Sequence, residues 1–175
     1  MGFKINVSDI ESTSIIEATK IIEKHYKVPL SELKLFDLLV TEDKSSAMRH
    51  GVYMFFNDIG ECIYVGMCSS SHFAHRIGGH FGMSPKYGMN TFLNRTVKML
   101  GLTNNYSSYV EALPKISEYR LLIIGANGRG KEFIKKLEKL FHIIYRPKLN
   151  FPNGFPKTYK PIGMSESFLS SVSTQ

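Results

Sequence analysis

The sequence predicts a domain of mixed helix and strand, and three stretches carry that expectation. Residues 51–66, GVYMFFNDIGECIYVG, read as a β-hairpin, with strands at 51–56 and 61–67 around the polar turn Asn57-Asp58-Ile59-Gly60. Residues 119–124, YRLLII, are an apolar run of strand length. Residues 131–145, KEFIKKLEKLFHIIY, place Phe133, Ile134, Leu137, Leu140, Phe141 and Ile144 on one arc at helical period, with Lys135, Lys136 and Lys139 opposite.

In chain order, Ile10, Ile15, Ile16, Ile22 and Tyr26 recur at roughly helical spacing over 8–26. Pro29 breaks that pattern, and Ser31 can cap a second short helix through Leu39. The polar run TEDKSSAMR at 41–49 reads as a linker, which makes 1–49 an N-terminal helical extension. A main domain over 50–151 and a C-terminal arm over 152–175, rich in Pro, Gly and Ser, complete the division.

A symmetric turn in the hairpin sets Phe56 opposite Glu61, Phe55 opposite Cys62 and Tyr53 opposite Tyr64. The two phenols then share a face with Phe55 and Cys62. After the hairpin, serines 69–71 can cap a helix that ends at Gly82. Arg76 and His80, four apart, share one face of it, while Phe73, Ile77 and Phe81 form the docking stripe. Gly78 and Gly79 are costly inside a helix; they mark close approach or the helix end. NTFLNRTVKMLG is a further helix, followed by a polar Asn-Asn-Tyr-Ser-Ser stretch. Glu138 sits at the border of the apolar arc of 131–145, near Ile134 and Tyr145 and away from the lysines. Pro147 ends that helix.

Twenty-two basic against fifteen acidic residues give a net charge of +7, which favours polyanionic partners, nucleic acid first. No run of eighteen apolar residues exists, so no membrane span is expected. The first residues lack the apolar core of a signal peptide. Cys62 and Cys68, six apart on one strand, are about 20 Å from each other, too far for a disulfide. A cytoplasmic chain with free thiols is the expectation. Gly125-Ala126-Asn127-Gly128-Arg129-Gly130-Lys131 matches the G-x4-G-K phosphate-loop pattern between a strand and a helix. Glu132 stands where that motif needs Ser or Thr, and only 44 residues follow the loop, so no nucleotide cofactor is expected. His72, His75 and His80 lie near Cys68, but no CxxC or HExxH accompanies them, and zinc is not expected either.

Gly51-Val52-Tyr53, Tyr64-Val65-Gly66, Arg76 with His80 one turn on, Glu138, and Asn150 after Pro147 together resemble the GIY-YIG nuclease family, over about residues 50 to 151. The resemblance implies a small α+β domain, a three-stranded antiparallel sheet flanked by helices, which agrees with the strands read independently. It implies a divalent-metal-dependent endonuclease that hydrolyses DNA phosphodiester bonds. By the same resemblance, Glu138 is the sole protein ligand of Mg²⁺ or Mn²⁺ and Arg76 holds the scissile phosphate. Tyr53 acts as general base towards the attacking water or orients it, Tyr64 binds phosphate or supports Tyr53, and His80 shuttles a proton or binds phosphate; Gly66 and Asn150 are structural. Many members carry a lysine soon after the second tripeptide, whereas Met67, Cys68 and Ser69 follow here. The small size points to a restriction- or phage-type enzyme acting on double-stranded DNA; repair or mobile-element nucleases and a non-catalytic DNA-binding module are the alternatives. Candidate DNA contacts are Asn94, Arg95 and Lys98, the loop Asn104-Asn105-Tyr106, Arg129 and Lys131, and Lys157, Tyr159 and Lys160 in the arm. A double-strand cut by single-site subunits calls for a homodimer, for which the N-terminal helices offer an interface.

Overall fold

The alternating apolar stretches assemble into one mixed sheet. The computed structural model describes residues 2–83 and 91–159. Its strands are β1 (Lys4–Asn6), β2 (Val28–Pro29), β3 (Gly51–Phe56), β4 (Cys62–Cys68) and β5 (Arg120–Gly125). The α-helices are α1 (Ile15–Lys24), α2 (Phe73–Gly79), α3 (Thr91–Met99), α4 (Tyr106–Ser117) and α5 (Lys131–Tyr145). The α+β class holds, and β5-β3-β4 form the expected antiparallel trio.

The sheet is nevertheless wider than three strands. β1 runs parallel to the second half of β5, and β2 runs antiparallel to its first half, so together they cover one side of β5. The N-terminal segment is thus part of the sheet rather than a purely helical extension. Two or three residues are too few to show a period-2 pattern, so the sequence could not announce these strands. The helix expected over 31–39 is instead two 3-10 turns, Leu30–Glu32 and Leu35–Leu38, separated by Leu33 in an extended conformation. α4 was not expected: Pro114 and the polar 104–108 stretch argue for a loop. Asn105 caps the helix, its side chain accepting from the Ser108 N–H at 2.9 Å, and Tyr109, Ala112 and Ile116 form the buried stripe.

The hairpin register differs from the symmetric expectation. Tyr53 lies opposite Gly66, Phe55 opposite Tyr64 and Phe56 opposite Cys62, with a bulge between Phe55 and Phe56. The offset is two residues, which keeps each side chain on its face, so Tyr53 and Tyr64 remain neighbours. Cys62 does not join them; it pairs with Phe56 and packs on the other face. The extra residue, Ile63, and Tyr64 both enter the same core.

Each face of the sheet carries one core. Tyr53, Phe55 and Tyr64 pack against Phe73 and Ile77 of α2, Phe92 and Val97 of α3 and Ile116 of α4. Val52, Met54, Phe56 and Val65 pack against Ile22 of α1 and Ile134, Leu137 and Phe141 of α5. No described helix is long and apolar enough to cross a membrane.

Candidate functional site

Two glycines set the position of Tyr53. A Cβ on Gly66 would lie 2.4 Å from both Cζ and Oη of Tyr53, so the ring can cross β4 only where no side chain stands. Gly51 has φ +150°, and a Cβ there would meet the Ile124 carbonyl oxygen at 2.1 Å. The glycines flanking the two tyrosine motifs are therefore steric requirements of the sheet.

Tyr53 has no accessible surface. Its ring stacks on Tyr64 with centroids 6.3 Å apart and meets Phe55 and Phe73 edge-on. The hydroxyl lies 2.5 Å from His80 Nε2 and also hydrogen-bonds with Arg76 and Tyr64. His80 is 1 % exposed, and its Nδ1 accepts from the Phe92 N–H at 3.4 Å, in the first turn of α3. That bond leaves the proton of a neutral imidazole on Nε2, so His80 donates to the Tyr53 oxygen. Burial, helped by the Arg76 and Arg95 guanidiniums, pushes the His80 pKa down to about 4. His80 therefore stays neutral at physiological pH. Burial raises both phenols above the usual tyrosine range, against the pull of Arg76, so each keeps its proton.

Glu138 approaches from the other core, around the outer edge of β4. Its carboxylate accepts from the Met67 N–H, and burial lifts its pKa to about 7, against the pull of Arg76. Neighbouring groups occupy more of that edge. Asn150 pairs with Val65 through both ends of its amide, accepting from the N–H and donating to the carbonyl, each at 2.8 Å. The Leu149 N–H donates to the Ile63 carbonyl at 2.9 Å. His142, one turn after Glu138, places Nε2 3.2 Å from the Val65 carbonyl and Nδ1 2.8 Å from the Tyr159 hydroxyl. A carbonyl only accepts, so Nε2 carries the proton and Tyr159 donates to Nδ1. Sequence reasoning missed His142; its position four after Glu138, on the same helical stripe, was the available signal.

Tyr53, Tyr64, Arg76, His80 and Glu138 thus converge, with Gly66 and Asn150 holding the strand that separates the two cores. The candidate DNA contacts scatter. Arg95 lies against the site: Nη1 donates to the Leu149 carbonyl at 2.6 Å and reaches that of Asn150 at 3.4 Å. Lys98 is exposed on the same helix, and the Asn94 amide donates to Asn104. Asn105 is spent as the α4 cap, while Tyr106 is exposed. Arg129 is ion-paired with Glu11 and lies over the Phe133 ring, and Lys131 is exposed at the start of α5. Lys157 is exposed, Tyr159 is held by His142, and Lys160 lies outside the described residues. Gly78 has nothing within 4 Å of a built Cβ, so it marks no close approach.

Arg76 and Glu138 are opposite charges beside three hydrogen-bonding rings. A carboxylate at the solvent border can share a divalent ion with water and phosphate oxygens, which suits Mg²⁺. Among the described residues no group of three or more His, Cys, Asp or Glu side chains is placed to hold a metal. His72, the N-cap of α2, and His75 within it are exposed. Comparison with protein-family models, curated proteins and solved structures found no match to this chain.

Proposed function

We propose that the chain is a divalent-metal-dependent DNA endonuclease of the GIY-YIG type. One observation carries the proposal: Tyr53, Tyr64, Arg76, His80 and Glu138, distant in sequence and picked out by the resemblance, meet at one point on the β4 edge. A purely structural cluster has no use for a carboxylate whose ionised form is opposed by burial. A metal-binding carboxylate does, because a bound cation restores the charged form.

The residues at Glu138 fit Mg²⁺ or Mn²⁺, with water and substrate oxygens completing the shell. Such an ion, when bound, supplies Lewis-acid stabilisation of charge developing on the phosphate and the leaving 3′ oxygen. Arg76 binds the scissile phosphate, where its planar fork matches two oxygens. Tyr64, 5 % exposed, is the phenol nearer to solvent. Tyr53 orients the attacking water through Tyr64 and Arg76. Two donors, His80 Nε2–H and Arg76, favour its phenolate once further positive charge enters the cluster. His80 positions Tyr53 as a donor and does not take its proton. No lysine accompanies the second tripeptide, so Arg76 and Arg95 supply the cationic field.

The test is incubation of the pure protein with plasmid and genomic DNA, with Mg²⁺, with Mn²⁺ and with EDTA, beside Glu138→Ala and Tyr53→Phe. Metal-dependent cleavage abolished by Glu138→Ala is expected. Discrete fragments identify a restriction- or phage-type enzyme; nicking or smearing identifies a repair or degradative one. DNA binding without cleavage under any condition overturns the catalytic reading and leaves a binding module.

A further inference from the structure

Beside the site, a cleft of about 590 Å³ opens between α3 and the segment following α5. Asn94, Arg95, Lys98, Lys148 and Phe151 are among its lining residues, and Met99 adds to its apolar wall. Three cations line it and no carboxylate does among the described residues. Arg95 is bonded to two backbone carbonyls, Lys148 also pairs with Glu61 at 3.4 Å, and Lys98 makes no ion pair among the described residues. We propose that this cleft takes one unpaired nucleotide of the DNA strand next to the scissile phosphate, which makes locally opened DNA the preferred substrate. The inference rests on the nuclease reading above.

The cleft and the site share a wall. Arg95 bonds the carbonyls of Leu149 and Asn150, and Asn150 in turn holds Val65. The charge of Arg95 also reaches Tyr64 and His80. A strand whose phosphate sits on Arg76 would therefore have the cleft on the far side of the wall that Arg95 forms. Lys98 and Lys148 are exposed at its mouth, where a flanking phosphate would lie. The ring of Phe151 and the thioether of Met99 offer apolar surface to a base, and the Asn94 amide a polar contact. Cationic side chains interleaved with an aromatic are the means by which proteins hold single strands. The volume suits one nucleotide, within the range of about 300–1,000 Å³ common for small ligands. A second basic cleft, at the hairpin end, serves less well. Glu23 and Glu61 line it, and the Lys27 ammonium is spent on the carbonyls of Ile22, Glu23 and His25.

The experiment measures binding of Glu138→Gln protein, by fluorescence anisotropy, to a blunt duplex and to the same sequence with one arm splayed. The splayed DNA is expected to bind roughly tenfold tighter, the scale of one base stacked on protein. Lys98→Ala with Lys148→Ala should erase that difference. Lys20→Ala with Lys24→Ala, which removes two charges from α1, should keep it. Equal affinity for the two DNAs, or a preference that survives loss of Lys98 and Lys148, overturns the cleft assignment and leaves the nuclease reading intact. If the wild-type protein neither binds nor cuts any DNA, both fall together.

Discussion

Replacing Glu138 by glutamine removes a charge that the fold opposes, and the effect must depend on pH. Burial lifts the carboxyl from 4.5 to about 7, with Arg76 and the Met67 N–H pulling the other way. Below about pH 4.5 the group is protonated in folded and unfolded chains alike, and its burial costs nothing extra. Between 4.5 and 7 the unfolded chain ionises first, so folded stability falls as pH rises. Above 7 the whole penalty is present. At about 1.4 kcal/mol per pH unit, the gap from 4.5 to 7 amounts to about 3 kcal/mol. Glutamine keeps the shape and does not titrate. Urea denaturation should therefore show Glu138→Gln gaining about 3 kcal/mol on the wild type between roughly pH 4.5 and pH 8. Mg²⁺ should raise the melting temperature of the wild type at high pH and leave the variant unmoved. A stability difference that is the same at both pH values refutes the burial argument. A variant that responds to Mg²⁺ as the wild type does refutes Glu138 as the metal ligand.

Other outcomes follow from the same geometry. Gly66→Ala drives a Cβ into the Tyr53 ring, and denaturation should show a loss of about 1–3 kcal/mol together with loss of any nuclease activity. Asn150→Ala strips the Val65 N–H of its partner and should cost about 2 kcal/mol in the same assay. Nitrogen NMR of His80 at neutral pH should show a neutral ring protonated at Nε2. Its pKa, lowered to about 4, adds stability above 6.5 that is lost as pH falls towards 4, so acid unfolding should be milder in His80→Gln. Asn105→Ala should cost about 1 kcal/mol by uncapping α4.

What the sequence revealed, and what it hid, follows from the range of the interactions. Lys131–Tyr145 and Gly51–Phe56 were legible because burial on one or both faces writes a pattern into consecutive residues. Strands of two or three residues, such as Lys4–Asn6, leave no such pattern; their pairing partner is more than a hundred residues away. α4 was hidden because its one strong local signal, Pro114, points away from helix, while tertiary burial of Tyr109, Ala112 and Ile116 overrides it. The register erred because a bulge cannot be read from alternation alone, yet the two-residue offset spared the pairing of the tyrosine rings. The site residues were found through spacing and resemblance. Their second partners, His142 to the Val65 carbonyl and Arg95 to the Leu149 carbonyl, depend on chain segments meeting in space, and no local pattern encodes them.

On the outer edge of β4 the Ile63 carbonyl, the Val65 N–H and carbonyl and the Met67 N–H are occupied, by Leu149, by Asn150 with His142, and by Glu138. That end of the sheet is therefore largely closed. A strand from a partner, or an insertion acquired in evolution, would lengthen a sheet by pairing with a bare edge. At β4 such growth would first have to evict the Glu138 carboxylate, on which the proposed chemistry depends, and the Asn150 amide that holds the strand. Catalytic competence and resistance to strand-by-strand aggregation would then be selected through the same few side chains. Loss of activity at this edge and a rise in self-association are outcomes that should travel together.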